Sequence, residues 1–405
     1  MDQKKLQTYA EVVIKRGLFL KPGQSVYIEA QVDSEELICA LAEQAYAAGA
    51  SDVSVAWKSN ALDRIKLMRK DGEIGALTEL DCAAIDYYAG RGAAFIRVEE
   101  VDLDVFRGVP MENIQKKAIG DRQSRIRYSQ KSGGAQSTII CCPSASWAKL
   151  VYPDLPPEEG LEKLWEAVFA CCRVNEPDPI KAWDDYIANS RRRRKMLEDK
   201  QYRTFHYKSA ETDLYLSPIE PQRWNGGCVE FPDKPDIFVP NVPTEEIFTC
   251  PHKYKSEGYV TSTRPLNFRG QLIDHFRLTL KEGKVVDYSA DVGEEVLKTI
   301  LETDEGSCYF GEMALIDKKS PISALRTTFY TTLYDENASC HIALGLAGGP
   351  PGKTPEELDA MGINTSVLHV DFMVGSDDMS IQGLTADGNW EDIFIDGSWA
   401  PEFTI

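Results

Sequence analysis

The sequence predicts an α/β amino-terminal domain with a largely parallel sheet, then an α+β carboxy-terminal domain with mostly antiparallel sheet. Three observations carry that reading. Helix and strand signals alternate through the first half, a basic run at Arg191-Arg192-Arg193-Arg194-Lys195 marks a boundary, and short β-like stretches separated by turn residues fill 205–405. The chain has 405 residues, 43% of them hydrophobic, which is long enough for two or three domains with a sizeable core. The expected division is 1–190 and 191–405.

In order along the chain, residues 3–16 place Leu6, Tyr9, Ala10 and Val13 at helical spacing, with Gly17 positioned to close the helix. A strand at Val26-Tyr27-Ile28-Glu29, a helix from Ser34 to Ala48 closed by Gly49, and a strand at Val53–Trp57 make a βαβ unit. A second cycle pairs the strand Ala94–Val98 with a basic helical stretch over 111–129. The strand Ser137–Cys142 then leads to a helix near 158–172, with Leu161, Leu164, Trp165, Val168 and Phe169 on one face.

The basic run reads as a solvated helix face balancing the acidic surplus. A phosphate or nucleic-acid backbone site is the other reading. Beyond it, strands are expected at Asp213–Leu216, Asp236–Val239, Phe276–Leu280, Lys284–Tyr288 and Ile393–Ile395, with turns at Glu282-Gly283, Asp387-Gly388 and Asp396-Gly397. Helices intrude at 292–303 and 354–361. The second begins with Thr354, Pro355 and Glu357 in N-cap, N1 and N3 positions.

Composition excludes several roles. A net charge of −19 would repel a polyanion over most of the surface, so nucleic acid is not an expected partner. No apolar run is long enough to span a membrane, and MDQKKLQTYAEVV lacks a signal peptide's apolar region, so a cytoplasmic location is expected. The ten cysteines contain no C-x-x-C and read as buried small hydrophobes. No G-x-G-x-x-G, G-x-x-x-x-G-K-[ST] or G-x-S-x-G occurs, so the first half looks architectural.

Chemistry concentrates in the second half. In Leu368-His369-Val370-Asp371-Phe372-Met373, strand alternation puts His369 and Asp371 on one face. Such a pair can bind one divalent cation or two adjacent ones, or can be a surface pair. The segment Asp335–His341 packs two acids and a histidine between apolar stretches, reading equally as a site or as a polar loop tip. Gly311-Glu312 opens an apolar run, as does Thr244-Glu245-Glu246. Taken together, mixed carboxylate and imidazole donors suit Zn, Co or Mn and a two-metal hydrolytic site. H-E-x-x-H is absent, and His206, His252 and His275 lack the company of such carboxylate segments, so they read as structural or surface groups.

Four segments in the same order make the second half recognisable: NVPTEEIFT at 241–249, GEMAL at 311–315, LYDENASCHIALG at 333–345 and NTSVLHVDFMVG at 364–375. Together they resemble the M29 metallo-aminopeptidases, and the similarity extends through Asp213-Leu214, Arg223-Trp224, the Gly388 region and Asp396–Trp399. The resemblance implies two divalent metals, usually Zn or Co with Mn or Fe possible, in the carboxy-terminal catalytic domain. It implies Glu246, Glu312, His341, His369 and Asp371 as ligands, with Glu312 bridging. Glu246 is taken over Glu245 on alignment of the motif. Glu336 matches a ligand or a proton-transfer group, so Glu312 and Glu336 are the expected catalytic acids. The resemblance also implies peptide substrates and a homodimer. One position departs from the family pattern, since Gly348 stands where the family has a tyrosine close to the metals. Besides an aminopeptidase, that departure leaves open an Fe(II) ring-cleaving dioxygenase on a related scaffold and a catalytically impaired peptide-binding relative.

Overall fold

The computed structural model describes residues 1–69, 74–99, 101–231, 234–268, 270–350 and 352–404. The chain forms two compact units, Met1–Trp183 with Cys228–Pro243, and Asp184–Gly227 with Thr244–Ile405. The chain therefore passes between them three times, because Cys228–Pro243 makes a return excursion into the first unit.

The first unit is α/β. Strands β1 (Ser25–Gln31), β2 (Asp52–Lys58), β3 (Ala94–Glu99) and β4 (Ser137–Cys141) are all parallel, in the order β2-β1-β3-β4. Val26, Ile28, Ala94, Ile96 and Ile140 are buried, as expected of a parallel sheet covered by helices. The excursion adds a fifth parallel strand, Asn241–Val242, beside β4 with Asn241 opposite Ile139.

Helices α1 (Gln3–Val12), α2 (Glu35–Ala47), α5 (Met111–Ser132) and α7 (Pro157–Cys171) stand where the periodicity places them. Helix α7 buries Leu164, Trp165, Val168 and Phe169, and the Tyr9 hydroxyl of α1 donates to the Cys141 carbonyl at 3.2 Å. Three further helices, α3 (Asn60–Leu67), α4 (Glu79–Ala89) and α6 (Ala145–Val151), are additions to the sequence reading. Helix α4 did carry a start signal, since Thr78 and Asp81 form a reciprocal capping box.

Helix α8 (Pro179–Lys200) carries the basic run. Arg191, Arg192 and Lys195 are exposed, and Lys195 pairs with Asp199 one turn on at 2.9 Å. Arg193 corrects the picture of a wholly solvated face. Its guanidinium donates to the Phe403 carbonyl at 3.0 Å and lies over the Trp399 ring, pinning the carboxy-terminal segment.

The second unit is built on antiparallel sheet. The larger sheet runs Leu266–Phe268, Gln271–Lys281, Pro251–Thr261, Asp213–Pro218, Thr204–Lys208, Ser380–Leu384, Trp390–Ile395 and Ser398–Trp399, with Lys284–Val292 also paired to Gln271–Lys281. Two of its hairpins close with the turns the sequence signals. Glu282-Gly283 and Asp396-Gly397 both have positive φ at both positions, the two-residue geometry that matches strand twist. The Thr354 capping box opens a helix over Pro355–Ala360 as expected.

A second sheet contains β5 (Ile247–Thr249), β6 (Phe310–Leu315), β7 (His341–Gly345) and β8 (His369–Met373), in the order β8-β7-β6-β5, with Asn225–Gly226 at the far edge. The two sheets share one core, in which Phe276 of the larger packs on Phe372 of β8 at 5.1 Å. Each such buried side chain contributes ~1.5–3 kcal/mol.

Two expectations need correcting. All ten cysteines are thiols rather than disulfides, but Cys39 is exposed and Cys82, Cys250 and Cys308 are only half-buried, so they are not uniformly core residues. His206 and His275 do have acidic company, supplied by other strands. His206 bonds Asp213 at 2.8 Å and His275 bonds Asp291 at 2.9 Å. Both remain structural pairs, as strand pairing brings the acids to them.

Candidate metal centre

The face of the β5–β8 sheet away from the core carries the chemistry. Residues opposite one another in an antiparallel ladder project to the same side, and alternate residues along a strand return to it. His341 is opposite Met373, Ala343 opposite Asp371 and Gly345 opposite His369. Ala314 is opposite His341 and Glu312 opposite Ala343. So Glu312, His341, His369 and Asp371 share one face, with small residues (Ala314, Ala343, Gly345) between them to leave room. The other face sends Ile342, Leu344, Val370 and Phe372 into the core.

Glu312 reaches that face only because of a bulge. The register shifts between Phe310 and Glu312, leaving Gly311 as the extra residue. Regular alternation would put Phe310 and Glu312 on the same side. With the bulge, Phe310 enters the core and Glu312 faces the acids and histidines. Gly311 has to be glycine there, since a Cβ would lie 2.2 Å from the Gly345 carbonyl oxygen and 2.4 Å from that of Leu346. Glu246 enters from the residue just ahead of β5.

Glu246, Glu312 and His341 offer ligand atoms that all lie within 4.8 Å of one another. His341 Nε2 is 3.4 Å from Glu246 Oε2 and 3.5 Å from Glu312 Oε1. Those spacings are long for an N–H···O bond. They match donors placed about 2.1 Å from one tetrahedral ion, which stand about 3.4 Å apart. Both histidines are oriented alike. His341 Nδ1 donates to the Glu336 carbonyl at 2.7 Å and His369 Nδ1 to the Leu346 carbonyl at 2.8 Å. Each ring thereby presents Nε2 to the acids, the tautomer that a carbonyl partner enforces on ligating histidines. His341 Nε2 and Asp371 Oδ1 are fully buried with no hydrogen bond among the described residues. The donor set fits divalent cations.

The electrostatics say the same. Burial, reinforced by Glu312, pushes the Glu246 carboxyl up to about 8. Burial alone would lower His341, but Glu312, Asp371 and Glu246 carry it up to about 9. Burial would likewise lower His369, and Asp371 at 3.2 Å is the main cause of its rise to about 10. Burial would raise Asp371, yet His369 holds it below the usual carboxylate range. Protons here take the place that dications would fill, because several buried carboxylates cannot remain uncompensated.

Glu336 contributes its carbonyl to His341, while its side chain lines a small cavity together with Asp371 and Tyr330. Its carboxylate lies outside the close three-residue group. Glu245 points elsewhere in function. Its backbone N–H donates to Asn337 Oδ1 at 2.7 Å, and Asn337 Nδ2 donates to the Leu333 carbonyl at 3.1 Å. Fully buried Asn337 therefore ties the Asp335–His341 segment to the Glu246 segment, a positioning role that the sequence reading missed. Asp335 is a structural acid, accepting from the Phe329 and Thr331 backbone N–H groups. Tyr330 was also missed; its φ of +58° is a strained setting for a residue lining this cavity. At Gly348 an added Cβ would meet only Cys250 Sγ, at 3.9 Å, and that thiol donates to the Gly348 carbonyl.

Comparison with known proteins supplies the family. The family described as "Thermophilic metalloprotease (M29)" matches residues 2–399. Aminopeptidase 2 of Geobacillus stearothermophilus is 38% identical, covering 99% of this chain and 98% of that protein. Aminopeptidase AmpS of Bacillus subtilis is 38% identical over 98% of both chains. Aminopeptidase T of Thermus aquaticus is 35% identical over 97% of this chain and 98% of its own. Wild-type AmpT from Thermus thermophilus superposes with a TM-score of 0.88 at 32% identity, covering 98% of this chain and 99% of that one.

Proposed function

The chain belongs to the M29 metallopeptidase family and is a metallo-aminopeptidase, and from that premise we propose that Glu246, Glu312, His341, His369 and Asp371 would hold two divalent ions in an enzyme that removes amino-terminal residues from peptides. The observation that carries this reading is the pair of carbonyl-oriented imidazoles whose Nε2 atoms face buried carboxylates. Zn or Co is the metal we favour, with Mn or Fe as substitutes that the same donors accept.

Bound there, divalent metals supply Lewis-acid polarisation of the scissile carbonyl and a water activated at neutral pH. The chain's own residues do the rest. Glu312, held by its bulge between β5 and β7, bridges the two halves of the donor set. Glu336, on the wall of the cavity it shares with Asp371, moves the proton from the attacking water to the leaving amine. The Glu336 carbonyl and Asn337 keep His341 and the Glu246 segment in register while that happens.

The proposal includes a homodimer in the cytoplasm. Among the described residues no helix is long and apolar enough to cross a membrane. The oxygenase reading finds no support, since the relatives named above are aminopeptidases. The test is metal analysis of the purified protein coupled to an aminoacyl-substrate screen with Zn, Co, Mn and Fe(II). Release of amino-terminal residues that EDTA abolishes is expected. Undiminished hydrolysis after complete metal removal would sink the mechanism.

A second reading rests on Gly348. The open space beside Cys250 lacks the phenol that family members place there, which favours a slower enzyme or one with altered substrates.

A further inference from the structure

A cavity of about 900 Å³ opens in the second unit off one end of the ligand-bearing strands. Its wall includes Ile316 just past β6, Ser339 and Cys340 just ahead of His341, and Gly375 just past β8. Arg264 lines it too, and the chain continues from there into Pro265–Asn267, which line the small cavity of Glu336 and Asp371. The size is that of a small-ligand site.

Its charge runs against the rest of the molecule. Four cations (Arg264, Lys318, Lys319 and Arg326) line it with Asp377 as the one acid. The chain has 64 acids for 45 bases, so cations should seldom lack an acidic partner. Yet among the described residues Arg264 and Lys319 form no ion pair, and the hydrogen bond of the half-buried Arg264 side chain is to the Thr327 carbonyl at 3.4 Å. Lys318 and Arg326 reach Asp377 only loosely, at 3.8 and 3.6 Å. Buried Asp335 acts on Arg264 electrostatically without a close ion pair among the described residues, so an anion in the cavity still gains a charge-assisted bond to the partly desolvated guanidinium.

We propose that this cavity receives the carboxy-terminal carboxylate of short peptide substrates. The inference rests on the aminopeptidase reading and deepens it by naming the substrate class. Ser339 lies two residues from His341, about 7 Å at strand rise. An extended peptide covers about 3.3–3.6 Å per residue, so about two residues span the step from the centre to the cavity wall, and peptides a few residues long place their carboxylate inside it. Longer peptides carry their carboxylate past the cavity and lose that interaction.

The test compares kcat/KM of the full-length, metal-loaded protein on one tripeptide as free acid and as carboxy-terminal amide, with a third substrate that is an amide bearing aspartate at its last position. Charge-assisted pairing predicts that the free acid is preferred by about tenfold to hundredfold, chiefly through KM. In Arg264→Gln and in Lys319→Gln the acid-to-amide ratio falls toward one, and Arg264→Lys restores part of it. Lys319 is exposed, so its variant remains informative where an Arg264 variant does not fold. A ratio near one in the parent, a ratio unchanged in both variants, or equal preference for the aspartyl amide would overturn the assignment. Calorimetric binding of the acid and the amide separates the two failures. Acid-selective binding without turnover counts against the peptidase reading alone, and turnover without acid preference counts against the cavity alone.

Discussion

Metal binding to this centre should release protons, and by how many can be worked out from the site. In the metal-free protein Glu246 sits at about 8, His341 at about 9 and His369 at about 10. At pH 7 all three are mostly protonated. Each must give up that proton to donate a lone pair to a cation. Binding at pH 7 therefore releases about two to three protons, and metal affinity rises about 10²- to 10³-fold per pH unit near neutrality.

The stability of the metal-free fold has the opposite dependence. The raised histidines contribute stability below about pH 6.5 that is lost as pH climbs through about 9 and 10. Raised Glu246 holds a proton that the unfolded chain would release above about 4.5, so its contribution also fades with rising pH. Calorimetric titration of the metal-free protein with Zn at pH 7, in buffers of differing ionisation enthalpy, counts the protons directly. Thermal unfolding with and without EDTA across pH 5–9 gives the second readout. No net proton release, or affinity that increases as pH falls, would refute the assignment of these groups as ligands.

Two further outcomes follow from the geometry. Gly311→Ala places a Cβ 2.2 and 2.4 Å from two carbonyl oxygens, so the bulge must open and Glu312 loses its position. Metal content measured by plasma spectrometry should fall by about half or more with kcat reduced at least ~100-fold, while circular dichroism keeps its sheet signal. In Gly348→Tyr the added Cβ meets only Cys250 Sγ at 3.9 Å, so the backbone there accepts a side chain and the variant should fold. Assayed on the same aminoacyl substrates, it should raise kcat by about tenfold if the missing phenol limits the reaction. An unchanged kcat would dissociate Gly348 from the chemistry.

Much of this was legible before any fold was known, and for local reasons. The capping box at Thr354, the Asp396-Gly397 turn and the alternation of His369 with Asp371 are each decided within a few residues. The same kind of signal lay unused at Thr78 and Asp81 ahead of α4. Other features were not local. Arg193 looks like its exposed neighbours until Trp399 and the Phe403 carbonyl are brought to it. His206 and His275 take their ring partners from other strands, where pairing supplies Asp213 and Asp291.

The sequence by itself determined the α/β and α+β halves, the segments able to donate to a metal, and the residue types within them. Periodicity and composition carry that information at short range. Only the tertiary structure decided which donors meet. Glu312 faces His341 because a one-residue bulge at Gly311 reverses its side of the sheet, and a register shift of one residue flips every side chain beyond it. It also gathered Arg264, Lys318 and Lys319 around one cavity in an acidic protein. Hydrogen bonding between strands far apart in the chain sets both arrangements, and no window along the sequence contains both partners of those bonds.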